Sequence, residues 1–238
     1  MAPSLREQQR RHAFGDAHVR GRWLSDVVLG AQDGIVNTLG VVLGLSAATT
    51  NARIVFATGI AAAAAESISM AAVAYTSSAA RGALYRAECA REYRHLESAP
   101  DLERAEIRAM FEDKGFTADL LERAVAVVCA DRKTWVRMMM LEEHQLGPVD
   151  QRASLGSAAI VGGTSAVASV LPVLPFVLWG TPIAIGAALG LGVLLLLTLG
   201  GVKARTTAGS PVREGVKLAA IGMTSALVAF GIARALAP

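Results

Sequence analysis

The sequence predicts an all-α polytopic membrane protein, with five transmembrane helices and a cytoplasmic helical insert between the second and the third. Three observations predict it. The 238 residues are 53% hydrophobic and 18% charged, and the mean hydropathy of +0.43 is high for a water-soluble chain. The apolar residues fall in five blocks, each near the length of about 20 residues that crosses a bilayer as a helix. The charges are segregated, with most of the acids between 83 and 150. No stretch alternates in the manner of a strand.

In chain order, 1–22 is a basic, polar segment ending in "RGR". It has neither the short apolar core nor the small-residue cleavage site of a signal peptide, so the first apolar block is expected to be retained. The blocks run 26–48 and 54–78, then 154–178, 182–202 and 215–236, giving two membrane regions, 23–80 and 153–238, around an insert at 81–152. The last three blocks are rich in small residues, and Gly40 and Gly44 have GxxxG spacing; both fit close helix packing in lipid.

The insert reads as four helices. "ALYRAECAREYRHLES" is made of good helix formers, continues the second span and stops before Pro100. "PDLERAEIRAMFEDKG" has Pro at its start and Gly115 at its end. "TADLLERAVAVVCA" starts at a Thr117 cap, and "DRKTWVRMMMLEEHQLG" runs from an Asp131 cap to a stop at Gly147-Pro148.

Lys and Arg near the helix ends set the orientation. Arg6, Arg10, Arg11, Arg20 and Arg22 precede the first span, Arg81 and Arg152 bracket the insert, and Lys203, Arg205, Arg213 and Lys217 join the last two spans. The opposite loops offer only Arg53. The N-terminus and insert are therefore expected in the cytoplasm and the C-terminus outside. No basic patch interleaved with aromatics points to nucleic acid. Cys89 and Cys129, far from any CxxC spacing, read as free thiols in a reducing compartment.

Ionisable groups inside a span are rare and costly, so each is a functional candidate. Asp33 and Glu66 are two such groups. Asn37 lies four residues after Asp33 and Met70 four after Glu66, each on the same helix face as its acid. Two carboxylates, an amide and a thioether offer a pathway to a divalent cation, and the carboxylates offer one to a proton. The blander alternatives are a helix-start cap for Asp33, a neutral carboxyl bonded to a neighbouring Ser for Glu66, and plain packing for Met70. In the insert, Glu88, Glu92 and His95 share one helix face, Glu103 and Glu106 another, and Met139, Met140 and Glu143 a third. Meeting in a bundle, they offer a metal O, N and S donors. Alternatively they are solvated faces with intrahelical ion pairs, such as Glu88 with Arg91, over a core packed by the methionines.

Taken together and in order, "SDVVLGAQDGIVNTLGVVLGLSAA", "ESISMAAVAY", "REYRHLESAPDLERAEI", "WVRMMMLEEHQLG" and "VLPVLPFVL" resemble the vacuolar iron transporter family, which includes nodulin-21-like plant proteins and bacterial members. The resemblance covers nearly the whole chain from Trp23. It implies a five-span homodimer that exchanges Fe2+, and in some members Mn2+ or related ions, for protons, with a cytoplasmic domain that binds metal. By position it gives Asp33 the part of the essential acid of the first span and Met70 that of the pore methionine. Glu92, Glu103, Glu106, Met139, Met140 and Glu143 fall on the family's metal ligands. His95 stands where the family usually has Glu, and an imidazole removes charge and favours later metals. Ala62 stands where some eukaryotic members carry a pore acid, and Glu66, one turn later, is its replacement. Met138 is expected to pack toward the bundle core, with Glu142 and His144 peripheral.

The expected function is export of ferrous iron from the cytoplasm in exchange for protons, across a bacterial cytoplasmic membrane. Mn2+, Co2+ or Zn2+ are the other cargoes to test, and no prosthetic group is expected. The rival is a membrane-anchored metal sensor or buffer whose insert binds iron without transport. An enzyme is not expected, since neither a Ser-His-Asp nor an HExxH pattern is present.

Overall fold

A computed structural model describes the backbone of residues 17–207 and 209–236, and the side chains of 23–205 and 209–236. Arg6, Arg10 and Arg11 lie outside the described residues, as do the side chains of Arg20 and Arg22. Among the described residues there is no strand. The helices are α1 (Ala17–Ala48), α2 (Ala52–Ser98), α3 (Pro100–Asp113), α4 (Ala118–Cys129), α5 (Arg132–Glu142), α6 (Gln151–Val170), α7 (Pro175–Leu178), α8 (Thr181–Thr207) and α9 (Pro211–Leu236). Five stretches are long and apolar enough to cross a membrane: Trp23–Ala48, Ala52–Ser98, Gln151–Leu178, Thr181–Arg205 and Pro211–Leu236. The chain divides into two compact units, one of Met1–Tyr75 with Leu155–Pro238, the other of Thr76–Ser154.

The apolar unit packs α9 against α8 and α1, and α1 against α8. Its core includes Leu39, Val42, Val55, Val173, Phe176 and Leu196. Between apolar helices in lipid there is little hydrophobic drive to associate, so close contact must hold them. Gly34 of α1 supplies it against α6: a Cβ there would lie 2.5 Å from Ser169 Oγ and 2.7 Å from the Ser165 carbonyl. Gly40 and Gly44 face Ala229 and Ala233 of α9, so their GxxxG spacing serves packing within the chain.

The third span is not the single helix expected over 154–178. It breaks into a 3-10 turn at Leu171–Val173 before α7. Pro172 and Pro175 lack the amide hydrogens a continuous α-helix needs, and their rings clash with the preceding turn.

The polar unit packs α3, α4 and α5 on one another around Leu96, Ile107, Leu121, Val125, Trp135, Val136, Met139 and Met140. Its two chain ends are joined by a 2.6 Å hydroxyl bond between Ser78 and Ser154. Gly115 (φ +86) ends the α3 turn in the left-handed region, where a side chain would be strained. Thr117 stands at the N-cap of α4 without a side-chain cap bond. Asp131 caps α5 by accepting from the backbone N–H groups of Lys133 and Thr134. α5 stops at Glu142, short of the expected Gly147, because the chain turns at Gln145 (φ 52). Cys89 and Cys129 are free and half-buried.

Candidate functional sites

Within the apolar unit, α1 and α2 bring three polar side chains together. The Glu66 and Asp33 carboxyls lie close enough to interact, and the Asn37 amide donates to Glu66 Oε2. Asp33 and Glu66 are half-buried and Asn37 is exposed, so the cluster opens at the surface of the unit. Asp33 is no helix-start cap, since α1 begins at Ala17. Nor does Glu66 bond a neighbouring serine: Ser67 gives its hydroxyl to the Ala63 carbonyl. Met70 follows one turn later on α2, half-buried.

The chemistry of this arrangement is narrow. Two ionised carboxylates side by side repel, and either a proton on one of them or a cation between them relieves that repulsion. A pair of this kind can hold either a proton or a metal ion.

The polar unit gathers a second cluster. Ligand atoms of Glu92, His95 and Glu103 lie within 4.8 Å of one another, as do those of Glu88, Glu92 and His144. Glu92 and Glu103 are buried at 2% and 3% exposure. His95 Nδ1 sits 3.4 Å from Glu103 Oε1 and 3.9 Å from Glu92 Oε1. Glu103 Oε2 is buried with no hydrogen-bond partner. Burial, then Glu106 and Glu92, push the Glu103 carboxyl above its ordinary range. Burial, then Glu143 and Glu92, do the same to Glu106. Buried acids that repel one another and leave an oxygen unpaired are costly without a cation, and a divalent ion would remove that cost.

Met139 and Met140 are almost fully buried in the apolar core, while Glu143 is exposed. Met138 is half-buried against the same core. Glu88 makes the intrahelical pair with Arg91 at 2.8 Å, and Glu142 pairs with Lys114 at 2.5 Å on the surface. The expectation for His144 is overturned. Far from peripheral, it is 14% exposed with Nε2 3.0 Å from Glu92 Oε1. It lies beyond the end of α5, where helical spacing no longer says which way a side chain points. The sequence signal was only an imidazole within one turn of Glu143.

The raised Glu103 carboxyl predicts a pH dependence. A group raised in the folded state adds stability below its unfolded value of 4.5 and loses that contribution as pH climbs through the folded value. In chelator-treated protein, Glu103→Gln should therefore gain thermal stability relative to the unmodified chain as pH rises above 4.5. The gap should close when divalent metal is added. A gap that stays flat with pH would place Glu103 outside the cluster.

The sequence model of the VIT family matches residues 24–234. Vacuolar iron transporter 2 of Oryza sativa subsp. japonica is 27% identical over 237 residues, covering 97% of this chain and 96% of its own. A vacuolar iron transporter of Centaurea cyanus is 28% identical, over 97% of this chain and 93% of its own. One of Toxoplasma gondii is 26% identical, over 95% and 78%.

Proposed function

Because this chain belongs to the VIT family, whose members are transporters and not enzymes, we propose that it moves ferrous iron out of the cytoplasm in exchange for protons. The observation that carries this is the adjacent Asp33 and Glu66 carboxyls, with Asn37 beside them, supplied by two apolar helices. The cation would enter as a proton leaves the pair, with Asn37 and Met70 as further donors along α1 and α2. Protonation from the far side would release it. The exposed position of Asn37 on an apolar unit favours a second copy of the chain covering the pathway, as a homodimer. Mn2+, Co2+ and Zn2+ are further candidate cargoes.

The polar unit would capture the ion in the cytoplasm through Glu92, His95, Glu103, Glu106 and Glu143, with Glu88 at the edge and Met139 and Met140 as sulfur donors. Residues 1–22 would share that side and the C-terminus would lie outside, across a bacterial cytoplasmic membrane. Uptake of Fe2+ into inside-out vesicles tests the scheme. Uptake should quicken when the lumen is acidified, because protons then leave as metal enters. Metal bound to the protein with no flux at any gradient would favour the sensor or buffer, which the buried Glu92–Glu103 cluster also fits.

The methionines have their own test. A Met139→Leu, Met140→Leu protein should keep its helices, since Leu matches Met closely in volume and helix propensity. Titration calorimetry on the full chain should show weaker binding of transition metals, with softer ions losing more than harder ones because sulfur is the donor removed. Unchanged affinities for Fe2+, Co2+ and Zn2+ would make Met139 and Met140 ordinary core.

A further inference from the structure

Glu92 belongs to two ligand sets, and the second, with Glu88 and His144, brings in an imidazole that the capture site just described does not use. Its imidazole is placed by backbone rather than by helical repeat. α5 ends at Glu142, His144 N–H donates to the Met139 carbonyl at 3.2 Å, and Leu146 N–H to the Met140 carbonyl at 2.8 Å. Between them Gln145 takes φ 52, a conformation uncommon and strained for a residue with a side chain. This turn delivers the ring to Glu92, with Nε2 3.0 Å from Oε1.

Glu88, one turn before Glu92 on α2, completes the set. Arg91 stands 2.8 Å from Glu88 Oε2 and 3.8 Å from Glu92 Oε1. The contact to Glu88 is an ion pair without a well-formed hydrogen bond. Arg91 is 45% exposed, so its guanidinium can leave for solvent at little cost. The acids also outweigh the cations. Beside Glu92, the Glu103 side chain is 4% exposed and its Oε2 has no partner.

We propose that Glu88, Glu92 and His144 form a cation position of their own, which takes a divalent ion of the later first-row series, and that Arg91 is the tethered cation holding that place when the ion is absent. Two carboxylates and one imidazole suit Co2+, Ni2+ or Zn2+ better than Mn2+, which prefers an all-oxygen set. The Glu92 carboxylate, with two oxygens, can serve this position and the one at His95 and Glu103 together. The proposal rests on the reading that the polar unit binds divalent metal, but not on transport.

The test uses the full chain in detergent with Co2+ as the probe, counted by equilibrium dialysis and followed by its visible absorption. His144→Gln and Glu88→Gln should each lose a cobalt ion per chain or weaken one class of site by about tenfold or more. His95→Gln should leave that class in place. Arg91→Gln should tighten it, because the competing cation is gone, whereas a purely structural ion pair would weaken it or leave it unchanged. The wild-type cobalt count and affinity in a His144→Gln protein of normal thermal stability would overturn the proposal. Should that variant fail to fold, Arg91→Gln decides alone, and no tightening overturns it. Absence of metal flux in vesicles with the cobalt results as expected would count against transport and leave this site standing.

Discussion

Asp33→Ala is expected to reduce metal flux to the level of protein-free vesicles, while metal binding by the polar unit persists. In the intact chain Glu66 has the Asp33 carboxyl beside it and accepts from the Asn37 amide. Alanine leaves only the amide, so the proposed pathway keeps one of the two acids that the proposed exchange would use. Asp33→Asn should be as inactive, since it restores a hydrogen-bonding partner for Glu66 but neither the charge nor the exchangeable proton. Folding should be preserved in both variants, because removing an ionisable group from an apolar belt relieves a cost. Normal flux by an Asp33→Ala protein of confirmed reconstitution would remove Asp33 from the mechanism.

The helices were legible because each carried its own local signal. The length of the apolar blocks, Pro100 at the start of α3, Gly115 at its end and the Asp131 cap are all one-dimensional facts. Where two local signals competed, the weaker-looking one won. Apolar composition ran straight through 154–178, yet Pro172 and Pro175 broke the helix there. The intramembrane acids were legible as candidates, since a charge in an apolar block stands out. Their pairing was not, because Asp33 and Glu66 meet only through the packing of α1 on α2, which no spacing within one helix records. His144 shows the same limit more sharply. Its contact with Glu92, 52 residues earlier, is made from the turn beyond α5, which includes a left-handed Gln145, and nothing in "EEHQLG" marks glutamine for that conformation. The insert faces were read by i,i+3 and i,i+4 spacing. That found Glu92 and Glu103 but could not say that these two would be buried while Glu143 stayed exposed.

A comparably large effect, on the fold rather than the pathway, is expected at Gly200. A Cβ there would lie 2.5 Å from both the Cα and the N of Gly215 and 2.6 Å from the carbonyl carbon of Glu214. All three are backbone atoms of α9, so no rotamer change makes room and the two helices must separate. Around this contact Lys203 of α8 reaches Glu214 at 3.2 Å, and Glu214 also pairs with Lys217 at 2.7 Å. Separation would stretch the pairing of Lys203 as well as the packing. In lipid that packing is the main force between apolar helices, and overpacking a tight contact costs about 1–3 kcal/mol or more. Gly200→Ala should therefore lower the thermal unfolding temperature in detergent markedly. Gly190, on the same helix, is the control, because a Cβ there meets nothing within 4 Å. Gly190→Ala should be neutral or stabilising by up to about 1 kcal/mol, since alanine is the better helix former. Equal unfolding temperatures for the two variants would mean that α8 and α9 do not rely on this close backbone contact.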